Sequence, residues 1–299
     1  MLDKSKNPDA RAEKYWESNP NAAAFNQWTS NPLISENVYK RMSGYRSTKF
    51  WLSWLIEDYF KGKRFNKMLS PGCGTGDHEI IVARTGSVKK IDAFDISQVS
   101  IDIARKKAKD NLLNINFYRD NLNSFTIPEE KQYDLVLCSG SLHHVKELER
   151  FFSIIASSLK PDGYFIINEY VGDCYNIYDD GQIKIINRIL STFPRELLSS
   201  DNNVLRNSTI NDVLERDPSE SVRSKLIIPF LKNYFKIDEK NPMGGSILHP
   251  LYPFLDHEKF ISRKYETDTI LKLIIEFEAI LIENSILDSD FMFCICRPK

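Results

Sequence analysis

The chain is short of several things, and each shortage narrows what it does. It has no excess of either charge: 40 Lys and Arg stand against 41 Asp and Glu, for a net charge of -1. No broad basic field therefore points to nucleic acid or to an anionic membrane surface. It has no long uncharged apolar run. The most apolar late stretch, Ile270 to Leu287, is interrupted by Lys272, Glu276, Glu278 and Glu283, so no membrane span is expected. The opening Met1-Leu2-Asp3-Lys4 lacks the apolar core of a secretory leader. Cysteines are few, odd in number and scattered: Cys73, Cys138, Cys174, Cys294 and Cys296. That usage argues against a disulfide framework and for a reducing, cytoplasmic setting. Cys294 and Cys296 share one face of a predicted strand and read as buried small hydrophobes. No ligand cluster has metal spacing: His249 and His257 do not suit a helical pair, and no metal is expected. Repeats and low-complexity segments are absent too.

What remains is a chain of 299 residues, 42% hydrophobic. That is enough for one large α/β domain with additions, or for two small domains. All four tryptophans, Trp16, Trp28, Trp51 and Trp54, fall in the first 60 residues. Tyr15, Phe25, Tyr39, Tyr45 and Phe50 lie between them, and Asn-Pro pairs at 19–20 and 31–32 break the segment into short pieces. Residues 1–60 read as a helical cap, built either on ordinary aromatic packing or as a lid over a pocket.

From Asn66 strands and helices alternate. A short strand ends at Met68-Leu69-Ser70, a turn spans Gly72 to Gly76, and Asp77 to Arg84 is helical. Strands follow at Lys90–Phe94, Ile115–Tyr118, Tyr133–Cys138 and Tyr164–Asn168. Ser97 caps a helix reaching Asp110, with Val99, Ile103 and Ala104 on one face. Leu148, Phe151, Phe152, Ile155 and Leu159 show helical spacing. The alternation predicts a parallel, doubly wound sheet over residues 61–172. Residues 173–230 carry helical patterns without clear strands and read as an insertion serving as lid or substrate segment. Residues 231–299 add a strand at Tyr234–Asp238, an amphipathic helix (Ile270, Leu273, Ile274, Phe277, Leu281) and a last strand at Phe291–Cys296. The basic run Arg105 to Lys109 reads as a solvated helix face.

The chemistry concentrates in Leu69-Ser70-Pro71-Gly72-Cys73-Gly74-Thr75-Gly76, where the first strand hands over to the first helix. Glycines there let the chain turn tightly and let a ligand approach the main chain, opposite the helix N-terminus. The dinucleotide pattern Gly-x-Gly-x-x-Gly fails, because Asp77 stands at its third glycine. The run reads Gly-x-Gly-x-Gly instead, and that resembles motif I of class I methyltransferases dependent on S-adenosylmethionine (SAM). Its companions keep the family's order: Asp95 at the end of the second strand, Arg119-Asp120-Asn121-Leu122 after the third, Asp134 to Cys138 with Leu142-His143-His144-Val145, and Leu159 to Gly163 leading into the fifth.

The resemblance implies a Rossmann-like fold with a mostly parallel sheet of seven strands, ordered 3-2-1-4-5-7-6 and with the seventh antiparallel. It implies SAM as cofactor. It places Gly72, Cys73, Gly74, Gly76, Asp77, Ile96, Asn121 and Ser139 around that cofactor, Asp95 on the ribose hydroxyls and Asp120 on the adenine amino group. One departure stands out. Many relatives carry an acid two residues before the first glycine, and this chain has Ser70, which leaves backbone carbonyls, water or Asp77 to meet the cofactor's amine. Asn168 to Gly172, Pro218 to Ser224 and Gly244 to Leu248 resemble a bacterial subgroup associated with glycan or secondary-metabolite assembly.

Methyl transfer asks mainly for in-line placement of the acceptor. A hydroxyl acceptor gains from a base within hydrogen-bond reach. His144, His143 and Glu169 are the candidates, since ligands bind beyond the carboxyl ends of the strands. His144 is the first choice as base or orienter, against a loop-holding role for either histidine and a buried structural role for Glu169. Tyr170, Arg223 and His249 are candidate substrate contacts; for Arg223 the rival reading is a solvated helix start capped by Ser219. The expected reaction is methyl transfer to an oxygen or nitrogen of a small molecule, a sugar or a glycan or secondary-metabolite precursor being the subgroup's implication, with no nucleic-acid or membrane partner and a monomer or homodimer. Three alternatives stay open: a nicotinamide-dependent oxidoreductase, a protein or RNA methyltransferase, and a non-catalytic SAM-binding or protein-interaction module.

Overall fold

The computed structural model describes residues 7–20, 27–127 and 132–299. Phe25 of the aromatic cap lies outside them. Seven strands form one sheet: β1 (Phe65–Pro71), β2 (Val88–Asp95), β3 (Ile115–Arg119), β4 (Tyr133–Ser139), β5 (Leu159–Tyr170), β6 (Phe235–Gly244) and β7 (Phe291–Pro298). Their order is β3-β2-β1-β4-β5-β7-β6. β1 to β5 pair in parallel, while β7 runs antiparallel between β5 and β6. This is the Rossmann-like order expected from the sequence.

The period of two places the core on both faces. On one face Leu135, Leu137, Ile166, Phe293 and Ile295 meet Trp51, Leu52 and Trp54. On the other, Val136, Cys138, Phe165, Ile167, Cys294 and Cys296 meet Phe151, Phe152 and Ile155. Two of the four tryptophans are thus sheet packing. No helix among the described residues is long and apolar enough to cross a membrane.

Two helix faces differ from their expected ones. Ser97 does cap Gln98–Asp110, but the buried residues are Ser100, Ile101, Ala104 and Ala108, while Val99 is 40% exposed. Small side chains let that helix lie close to the sheet. Tyr265–Glu283 buries Leu271, Ile274, Ile275, Ala279 and Leu281, leaving Leu273 and Phe277 outward. β5 and β6 also run longer than their apolar patterns: β5 begins early where Leu159 pairs with Tyr133 of β4 and ends late against β7, and β6 is held along its length by β7. Between β5 and β6 lie the helices Asp180–Leu190, Ile210–Arg216 and Ile227–Tyr234.

Candidate cofactor and acceptor site

β1 delivers Pro71 to the sheet's carboxyl edge, and Gly72 to Gly76 turn into the helix Asp77–Arg84. The N–H groups of Gly72 and Cys73 both donate to the Phe94 carbonyl, at 2.8 and 3.0 Å, tying the loop to the end of β2. Asp95 follows. Its Oδ2 accepts from the Gly74 N–H at 2.9 Å and its Oδ1 from the Ser97 N–H at 2.9 Å. Each carboxylate oxygen keeps lone-pair capacity for a ligand. Burial pushes the Asp95 carboxyl above its ordinary range, opposed by those two N–H groups.

The loop borders a cavity of about 260 Å³. Of the residues expected around a cofactor, Gly72, Cys73, Gly74, Asp77, Asp95, Ile96, Asn121 and Ser139 line it. Gly76 lies beneath, against Phe117 and Ala104. Asp120 instead borders a shallower recess with Arg119 and Glu13, and the Asp77 carboxylate is engaged by Lys107 at 2.7 Å. The helix Pro8–Ser18 covers the opening and brings Trp16 to the cavity wall. Lys146 pairs with Asp9 at 2.6 Å, Arg119 pairs with Glu13, and Arg11 donates to the Leu214 carbonyl at 2.6 Å. Asn7 capping, followed by Pro8, starts that helix, a signal readable in the sequence. Ser141, Asn123 and Ser219 also line the cavity, and local sequence offered no sign of the first two.

A buried acid stands beside Ser70, outside the cavity lining. Ser70 Oγ donates to Glu79 Oε1 at 2.5 Å. Glu79 is 1% exposed, and its Oε2 has no partner. Burial raises its pKa from 4.5 to about 7, against the Ser70 hydrogen bond. A carboxyl raised by folding contributes stability below its unfolded value and loses it as pH climbs through the folded one. Relative to Glu79→Gln, the wild type should therefore lose on the order of 3 kcal/mol between pH 4.5 and 7. Urea unfolding of both chains at pH 5 and 7.5 checks this; an unchanged difference would contradict it.

Across the cavity β4 and β5 supply a second wall. Glu169, 1% exposed, accepts at Oε1 from the N–H groups of Ser141 and Leu142, both at 2.5 Å. Its Oε2 meets His143 Nδ1 at 2.8 Å. Glu169 thus clamps the loop after β4 and does not reach the cavity. Burial lowers the His143 pKa, but the Glu169 charge and hydrogen bond dominate and raise it to about 9. His144 does line the cavity, with Trp16 edge-on at 5.3 Å. Its Nδ1 lies 3.1 Å from both the Ser219 carbonyl and Ser219 Oγ. Ser219 Oγ gives its own proton to Asp217 Oδ1 at 2.7 Å, so Nδ1–H is the donor and Nε2 keeps its lone pair. Burial, then the neighbouring His143, lowers the His144 pKa.

The remaining candidates sit elsewhere. Arg223 makes a bidentate pair with Glu149 at 2.7 and 2.9 Å, and both bonds hold the guanidinium away from the cavity. Tyr170 donates to the Asp173 carbonyl at 3.0 Å and packs near His249 and Phe291. Burial brings the His249 pKa down to about 4, leaving a neutral ring among Trp28, Tyr170 and Phe291.

A family model described as a methyltransferase domain matches residues 63–225. The chain belongs to this family. Its fold is that of the class I, SAM-dependent methyltransferases, and SAM is the cofactor the family implies. The ubiquinone biosynthesis O-methyltransferase of Coxiella burnetii is 30% identical over 103 residues, covering 34% of this chain and 42% of that protein. The enzyme of the same name from Rickettsia bellii is 28% identical over 104 residues, covering 34% and 41%. The chain thus spans less than half the length of these curated relatives. A solved Haemonchus contortus phosphoethanolamine N-methyltransferase 2 in complex with SAM shares the fold, with a TM-score of 0.50 and 16% identity over 88% of this chain and 56% of that one.

The methyltransferase's own residues fit such a cofactor. A Cβ on Gly72 would stand 2.5 Å from Ser141 Cβ, so only glycine keeps the two lips of the cavity this close. Asp95 offers its carboxylate beside that lip, as a ribose diol requires.

Proposed function

We propose that this chain binds SAM between the glycine loop and Asp95 and transfers its methyl group to an oxygen or nitrogen of a small molecule placed against His144. When bound, SAM supplies a methyl already activated on a sulfonium centre. The chain's task is then alignment and exclusion of water. The Asp95 carboxylate and the glycine loop would fix the cofactor, and the helix Pro8–Ser18 closes the opening. The observation that carries the reading is His144: a partly buried imidazole on the cavity wall whose Nδ1–H is held by Ser219, leaving Nε2 to accept from an acceptor group. The O-methyltransferase names of the relatives support an oxygen acceptor, and the subgroup resemblance supports a sugar or a glycan or secondary-metabolite precursor.

His144→Ala should lower turnover by about 100-fold or more while leaving SAM affinity within about 3-fold. Methyl transfer from labelled SAM to a panel of sugar nucleotides and phenols, read beside calorimetric SAM affinity, tests this. A variant that keeps its turnover but loses SAM affinity would move His144 to the cofactor's side.

A further inference from the structure

The loop after β4 and the segment before Ile227 bring Glu220 beside the adjacent pair His143 and His144. One donor atom from each of His143, His144 and Glu220 lies within 4.8 Å of the other two. Both imidazoles are oriented from behind. Glu169 accepts from His143 Nδ1 at 2.8 Å, and the Ser219 carbonyl accepts from His144 Nδ1 at 3.1 Å. Each imidazole turns its Nδ1 to a support, which leaves Nε2 as the ring atom free to take up an ion once any proton on it is displaced. Glu220 accepts at Oε1 from Asn176 at 2.9 Å and from Ser221 at 2.8 Å, and no described hydrogen bond engages its Oε2. Two imidazoles and a carboxylate therefore converge on one point.

We propose that His143, His144 and Glu220 bind one divalent transition-metal ion of the zinc class. The ligand set is the two-histidine, one-carboxylate set that nitrogen- and oxygen-binding ions such as zinc and cobalt take, with further positions open. A carboxylate behind one histidine and a carbonyl behind the other are the supports that metal-bound imidazoles use. Ligands about 2.1 Å from a tetrahedral ion stand roughly 3.4 Å apart, so closure asks for inward movements of about 1 Å. Because His144 borders the cavity, an open position on the ion faces the acceptor, and an acceptor oxygen would meet the ion rather than the bare ring. That use rests on the methyl-transfer reading; the ion's binding does not.

The test uses the full chain, stripped with a chelator, dialysed and titrated with cobalt chloride at neutral pH. The proposal expects one equivalent bound, with visible ligand-field absorption that zinc chloride displaces. Glu220→Gln, close in shape to the native side chain, should weaken binding at least tenfold, as should His144→Ala. No cobalt uptake by a cooperatively folding chain overturns the proposal. So does equal uptake by Glu220→Gln, or an intense near-ultraviolet thiolate band that places the ion on a cysteine. SAM titration of the same samples separates the two ideas: SAM binding without cobalt binding removes only the ion, and cobalt binding without SAM binding keeps the ion and removes the methyl-transfer reading.

Discussion

Replacing Asp95 with alanine is expected to weaken SAM binding by about 2–3 kcal/mol, or roughly 30- to 150-fold. The reason is positional. The Gly74 and Ser97 N–H groups hold the two carboxylate oxygens at 2.9 Å each, in the cavity wall and with capacity left for a diol. Hydrogen bonds to a charged, partly desolvated acceptor are stronger than neutral ones. Alanine also strips the Gly74 N–H of its partner, so Asp95→Asn serves as the shape-preserving companion and should show a smaller loss in the same direction. Calorimetry beside a thermal melt separates lost contact from lost fold. Unchanged affinity in a folded Asp95→Ala chain would take this residue out of the site.

Gly76→Ala should cost the fold about 2–5 kcal/mol, through two effects that add. Gly76 has φ +76° at the start of the helix Asp77–Arg84, a conformation that costs a residue with a Cβ about 1–2 kcal/mol. The new methyl would also stand 2.7 Å from Phe117 Cζ and 2.9 Å from Ala104 Cβ. Phe117 is 3% exposed and Ala104 fully buried, so neither has room to retreat, and overpacking of this kind costs about 1–3 kcal/mol. A urea midpoint within experimental error of wild type would mean that the loop relaxes freely, contrary to the packing described.

The elements of the sheet were readable because their signals are local. An apolar run such as Tyr133–Cys138 marks a strand covered on both faces, and Ser97 marks a helix start. Strand order followed from the family resemblance, which rests on the glycine loop and its ordered companions. Helix faces were less readable where apolar residues nearly encircle the helix. In Tyr265–Glu283 the stripe Ile270, Leu273, Phe277 competes with Leu271, Ile274, Ile275, and only packing against neighbouring elements decides between them. The acceptor wall was half readable. His143, His144 and Glu169 stood out as polar residues beyond strands four and five, but Glu169 proved to hold backbone N–H groups, an arrangement no spacing reveals. Pairings across long sequence separations escaped altogether: Arg223 with Glu149, and Glu220 with the two histidines. Each depends on where the chain returns after the helices that follow β5.

On the proposed function, the cavity beside the glycine loop is a SAM site. Calorimetric titration of the purified chain with SAM, and in parallel with NADH, tests it most directly. Micromolar binding of SAM with no heat from NADH is the predicted result. Absence of SAM binding by a cooperatively folded chain would contradict it.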